Sequence, residues 1–164
     1  MDAITGRFLV TEADDETAVL RDVETGQVVT LDEHPEPPLE RHEVLEGTVA
    51  PKLPAEVVWG VESVDRRFTV DVIDSDLEPT TQAREIATEL GPGDLATRER
   101  AGDGEIHVIG VDDPEAAATD VVEDEETVAR AARLGAVRVE VRREDAPADG
   151  NDDSHYSAIA GCRA

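Results

Sequence analysis

Residues 44–73 read VLEGTVAPKLPAEVVWGVESVDRRFTVDVI, and their interpretation decides the fold. The stretch holds the only Trp of the chain (Trp59), its only Lys (Lys52) and one of its two Phe (Phe68). It reads as three extended segments. Glu43 to Ala50 comes first, Pro51 and Pro54 bracket a break, and Glu56 to Val64 is extended again. After a polar break at Arg66-Arg67, Phe68 to Ile73 places Phe68, Val70 and Val72 on one face. Only short strands precede this stretch, and strands alternating with helices follow it, so two sub-structures are expected to meet here.

Upstream, Phe8 and Val10 alternate with Arg7, Leu9 and Thr11 in a short strand. Asp14-Asp15-Glu16 is a polar turn, Thr17 to Val23 a second strand, and Glu24-Thr25-Gly26 a hairpin signal leading into Gln27 to Leu31. Pro35, Pro37 and Pro38 cannot lie inside a strand, so Asp32 to Arg41 is a loop. Short strands with Gly and Pro punctuation and no helical period predict a small β-barrel-like or curled sheet over residues 1–65.

Downstream, Thr80 or Thr81 caps a helix in which Ala83, Ile86, Ala87 and Leu90 share a face, and Gly91-Pro92 stops it. Asp94 to Arg100 is a weakly apolar strand, and Glu105 to Val111 a buried one. Asp113-Pro114 opens a helical stretch that breaks near Glu123 and ends at Leu134-Gly135. Ala136 to Arg142 alternates Val137, Val139 and Val141 with Arg138, Glu140 and Arg142. The order strand, helix, strand, strand, helix, strand predicts a ferredoxin-like βαββαβ unit over residues 66–144, with both helices on one face of an antiparallel sheet. Residues 145–164 are polar, lack periodicity and read as a disordered acidic tail. The expected class is α+β.

The composition is dominated by charge. Forty Asp and Glu face 15 basic residues, 14 of them Arg, for a net charge of −25. Such a charge repels itself in dilute buffer. At molar salt the Debye length shrinks to about 3 Å and the repulsion is screened. The chain therefore reads as a cytoplasmic protein of a halophile that accumulates salt. The competing reading, an acidic and partly disordered protein of ordinary salinity, sits poorly with the apolar periodicity. A field of this sign discourages attraction to nucleic-acid phosphates, except at molar salt or through a local Arg patch. No apolar run approaches the length of a membrane span, and no signal peptide is visible. The single Cys162 leaves no internal disulfide framework and no Cys-based zinc site.

Several stretches resemble a haloarchaeal family defined as a domain of unknown function. They are Phe8-Leu9-Val10-Thr11, Ala18 to Val28, Leu45 to Pro51, Pro79 to Ala87, Gly104 to Val108, and Val121 to Val128 continuing to Gly135. The resemblance covers roughly residues 6–143 and rests on the order of these words, since none is a chemical motif. It implies a haloarchaeal origin and a further short strand after Arg143, from which the sequence there departs. It supplies no activity, ligand or catalytic residue.

Chemical motifs are sparse. The histidines His34, His42, His107 and His155 form no helical pair. His34 and His42 flank the proline loop as alternative metal ligands or plain surface residues, and His107 is a sheet-surface histidine or a general base. Asp71, Asp74 and Asp76 lack the spacing of a calcium loop. Neither Gly91-Pro92-Gly93 nor Gly102-Asp103-Gly104 has the Lys and Ser/Thr of a phosphate-cradling loop. The aromatic signature of an RNA-binding sheet is missing. The sequence thus assigns no catalytic residue, cofactor or metal. It points to a non-enzymatic binding module with protein or ribonucleoprotein partners at high salt, no membrane, and homo-oligomerisation through sheet edges as a further option. The candidate interaction surface is Lys52, Trp59, Arg66, Arg67, Arg98, Arg100 and Arg138, with Arg98, Arg100 and Arg138 brought close by strand placement. The alternative is a small-molecule enzyme with a carboxylate/His site between the two sub-domains.

Overall fold

The asparagine-free hairpin Asp22–Gln27 shows how local chemistry seeds the first unit. The Asp22 carboxylate accepts from the Glu24 and Thr25 amides at 2.8 and 3.2 Å, and Gly26 takes φ 78° to close the turn. A left-handed residue there favours glycine. In the computed structural model, which describes residues 2–91, 93–99, 104–143 and the backbone of 156–163, this turn joins the second and third strands of a closed barrel.

The barrel strands are β1 (Ile4–Ala13), β2 (Ala18–Asp22), β3 (Val28–Leu31), β4 (Glu43–Pro51) and β5 (Trp59–Thr69), in the order β1-β2-β3-β5-β4 with β1 closing on β4. All pairings are antiparallel except β3 with β5, which run parallel and meet only at Leu31 and Trp59. The connectivity is that of a five-stranded Greek-key barrel. Alternating side chains fill its interior: Phe8, Val10, Leu20, Val29, Leu31, Leu45, Val49 and Trp59, with Leu39 from the proline loop.

The expected break at Arg66-Arg67 is not there. β5 runs through it, because β4 offers partners as far as Glu43 opposite Thr69. Arg67 is bound on the way: its Nε donates to Glu43 Oε1 at 2.5 Å, and its terminal nitrogens donate to the Pro37 and Pro38 carbonyls at 2.6 and 3.2 Å. The single strand expected at Phe68–Ile73 is accordingly divided, and the chain forms two compact units, Met1–Val70 and Asp71–Ala164.

The second unit contains β6 (Asp71–Asp74), α1 (Thr81–Ala87), β7 (Leu95–Glu99), β8 (Glu105–Gly110), α2 (Pro114–Glu123), α3 (Glu125–Arg133), β9 (Arg138–Val141) and β10 (Tyr156–Arg163). Thr80 caps α1, Asp113 caps α2, and Asp124 ends α2 and caps α3, so the helix breaks where the acidic run begins.

The class is α+β as expected, but the ferredoxin-like arrangement is not what is found. The sheet order is β6-β9-β10-β8-β7, and β6 lies parallel to β9 at an edge. In a ferredoxin-like sheet the first strand would be central and every neighbour antiparallel. Here β10, paired antiparallel with both β8 and β9, takes a central place. A strand thus stands within the segment expected to be a tail, while residues 144–155 lie outside the described residues. The helices also divide between faces. α1 packs on Ile106 and Val108, whereas Ala118, Val121 and Val122 of α2 pack with Ile109 and Val141. Adjacent residues of a strand face opposite ways, so the sheet is covered on both sides.

Candidate functional site

A mismatch in strand length creates an open groove on the barrel. β3 stops at Leu31 because Asp32-Glu33-His34-Pro35 follows and Pro35 has no amide to continue a ladder. β5 runs on to Thr69, so past Trp59 its side away from β4 has no strand neighbour among the described residues. Across the gap lies the Glu33–Pro35 segment. The resulting groove, about 370 Å³, is lined by Glu33, His34, Pro35, Lys52 and Gly60–Val64.

The far bank is fixed by His34. Its Nε2–H donates to the Asp14 carbonyl at 2.8 Å, and its Nδ1 accepts from the Leu39 amide at 3.1 Å. Both ring nitrogens are occupied in this pattern. It anchors the proline loop and drops Leu39 into the barrel core, so His34 is not available as a metal ligand. His42 sits at φ 68° and bridges strands through its backbone, bonding to Val10 and Val70. Among the described residues, no group of His, Cys, Asp or Glu is arranged to hold a metal ion.

Lys52 closes one end of the groove. Its ammonium lies 2.5 Å from Asp32 Oδ1 and 3.6 Å from Glu33 Oε2. The hydrogen bond to Asp32 holds the ammonium above the usual lysine range, against a smaller opposing effect of desolvation. Its stem lies over Gly60, where an added Cβ would come within 3.0 Å of Lys52 Cε. With Lys52 engaged, Glu33 and Glu62 leave the groove negative.

The remaining residues of the expected interaction surface are employed otherwise. Trp59 is only 5% exposed and belongs to the core. Arg66 covers the Phe68 ring at 4.5 Å, and Arg67 holds Glu43 and the proline loop. Arg98 donates to the neighbouring Thr97 carbonyl, and Arg138 pairs with Glu140 at 3.1 Å. Arg100 lies outside the described residues. Strand placement does not gather Arg98 and Arg138: β8 and β10 stand between β7 and β9, a separation of about 14 Å across the sheet.

Two carboxylate networks lie in the second unit. Glu105 accepts from Arg130 Nε at 2.9 Å and bonds His107 Nε2 at 2.9 Å, while His107 Nδ1 meets Thr97 Oγ1 at 3.2 Å. Burial raises the Glu105 carboxyl, yet the bonds from Arg130 and His107 outweigh it and hold the group below its ordinary range. Glu140 behaves likewise: burial opposes, while Arg142, Ser75 and Arg138 prevail.

Sequence reading missed Glu33, Gly60, Glu62 and Ser63 as groove residues. The signal was present in the proline stop after a four-residue strand facing an eleven-residue one, but the pairing of β3 with β5 is needed to use it. It also missed Glu105 and Arg130, which are 25 residues apart and meet only once α3 lies on the sheet. No helix among the described residues is long and apolar enough to cross a membrane.

A search among curated proteins and one among solved structures each find no match to this chain. A family model does match, over residues 4–143, which spans the barrel and the second unit up to the end of β9. The chain therefore belongs to the family of unknown function DUF5812.

Proposed function

We propose that this chain is a non-enzymatic binding module whose working surface is the groove beside Lys52. The observation that carries the reading is the groove itself, an open channel of about 370 Å³ on a closed barrel whose far bank is anchored by His34. A rigid scaffold presenting a loop-lined channel is a common arrangement for recognition, although the fold alone assigns no ligand. Two carboxylates of the second unit, Glu105 and Glu140, are each engaged by arginine. The acidic surface fits a cytoplasm at molar salt, where carboxylates keep the protein hydrated.

The test is capture from a high-salt lysate, using the chain and its Ser63→Trp variant, with bound proteins, nucleic acids and metabolites all identified. Ser63 is exposed and lines the groove, so the indole fills the channel without entering the core. A component held by the natural chain and lost with Ser63→Trp supports the reading. Equal retention by both, or none by either, removes it.

A second reading rests on the hydrogen-bonded run Thr97–His107–Glu105, which has the order of nucleophile, base and orienting carboxylate. It requires Thr97 to be acylated by an activated ester, with labelling abolished in His107→Gln. An unlabelled Thr97 in the natural chain ends that reading.

A further inference from the structure

We infer that the open edge of β5 at Val61–Val64 receives an extended basic peptide of another protein, which adds as a strand within the groove. This rests on the reading of the groove as a binding surface and names its occupant.

The edge follows from the pairing. Beyond Trp59, β5 bonds to β4 alone, and among the described residues no strand or loop backbone bonds to the other side of residues 61–64. Glu62, Ser63 and Val64 are exposed, and the Val64 side is 43% accessible. The five residues Gly60–Val64 span roughly 17 Å at the rise of a strand, enough for a short peptide to lie alongside. Unpaired amides and carbonyls on an edge are the template for strand addition.

The edge also carries a filter. Its register against β4 shifts between Glu46 and Gly47 and between Thr48 and Val49, leaving Asp65 and Glu62 as extra residues on β5. Bulges of this kind twist an edge and discourage long, flat, indiscriminate pairing. Only a short segment can follow it.

Charge selects the segment. Glu62 and Asp65 are exposed on the strand and the Glu33 side chain is 80% exposed on the opposite bank, while Lys52 is engaged by Asp32. A second copy of this chain would bring another −25 to the contact, so self-pairing is opposed and a Lys/Arg-bearing segment favoured. At molar salt the charge term is screened and the backbone bonds carry the affinity. A single nucleic-acid strand fits less well. Such ligands need aromatic platforms in a basic groove, whereas Trp59 and Phe8 are in the core and the groove is acidic.

The experiment follows amide hydrogen exchange of the whole chain at the lowest KCl concentration that keeps it folded. The probes are an acetylated peptide of alternating lysine and valine, its glutamate–valine counterpart, a lysine–valine peptide with alternate amides N-methylated, and an oligothymidylate. The expected result is exchange about tenfold slower at residues 61–64 with the lysine–valine peptide alone, as local opening is suppressed. Glu62→Lys should abolish the protection. Protection by the N-methylated peptide or the oligonucleotide, protection confined to other residues, or none with any probe overturns the inference. In that last case a component captured by the natural chain and lost with Ser63→Trp leaves the binding-module reading standing, so the two failures are separable.

Discussion

The barrel and the sheet unit solve the same problem in different ways. In the barrel, β1–β2, β2–β3 and β4–β5 join strands that follow one another in the chain, and only the β1–β4 and β3–β5 contacts close the circle. Large side chains such as Phe8, Leu20, Leu45 and Trp59 fill one interior. In the sheet unit, β6 must find β9, and β8 must find β10 across both α2 and α3. Its helices approach with small residues: Ala83 and Ala87 on one face, Ala118 on the other. Consecutive strands supply three of the five barrel pairings and two of the four sheet pairings, β7–β8 and β9–β10, so the sheet leans more on distant pairings, which bear the larger loop-closure cost.

The sharpest way to break this contrast is to remove residues 144–164. Without β10 the sheet loses the strand between β9 and β8, and the second unit should lose its exchange protection while the barrel amides keep theirs. Uniform protection in the shortened chain would show that β10 is dispensable, as would a sheet unit that stays folded over the family-matched residues 4–143.

Within the barrel, the most sensitive position is Gly47. An added Cβ would lie 2.1 Å from the Ser63 carbonyl oxygen and 3.1 Å from Val64 Cα, both backbone atoms at the bulge. Gly47→Ala should therefore destabilise by about 3 kcal/mol, measured by urea unfolding followed through Trp59 fluorescence. An unchanged midpoint would mean that the bulge is not as close as described.

Arg67→Met comes next. It leaves Glu43, only 8% exposed, without its guanidinium partner and frees the Pro37 and Pro38 carbonyls. A loss of about 2 kcal/mol is expected, with partial recovery in Arg67→Met/Glu43→Gln. No recovery would show that the loop contacts, and not the charge, are what matter.

In the sheet unit the corresponding local device is Asp124, which accepts from the Glu126 and Thr127 amides at 3.2 and 3.1 Å. Asp124→Ala should destabilise α3 by about 1 kcal/mol, read as faster exchange of its first-turn amides.

The gentlest effect is that of acid. Glu105 and Glu140 have folded-state carboxyls lowered from 4.5, so the unfolded chain binds protons first as pH falls. Their stabilisation is complete above about pH 5 and is lost as the pH drops through the folded values. Denaturation midpoints should fall in that window, and Glu105→Gln/Glu140→Gln should flatten the dependence there.

Much of the architecture was legible in local pattern. Asp113-Pro114 opened a helix, the acidic run at Glu123–Glu126 divided two, and Gly135 at φ 73° ended the second. The Ile106-His107-Val108-Ile109 run was readable as buried, and its apolar residues lie on both faces of a doubly covered sheet, which the element order did not suggest. The groove was less legible. Lys52 stood out by being unique, yet its neighbours Glu33, Gly60 and Glu62 come together only because β3 ends early beside a strand that does not.

The amino-acid sequence by itself determined the charge, the approximate positions of the described strands and helices apart from β10 and the division between β5 and β6, the caps that begin α1 and α2 and the turn that joins β2 to β3. These depend on residues close in the chain, whose hydrogen bonds and periodicity need no distant partner. Tertiary structure alone decided barrel closure, the central place of β10, the division of helices between faces and the open edge of β5. Each of these is a choice of neighbour among strands with similar alternating faces. That choice is made by packing and pairing across the folded chain, which no local window contains.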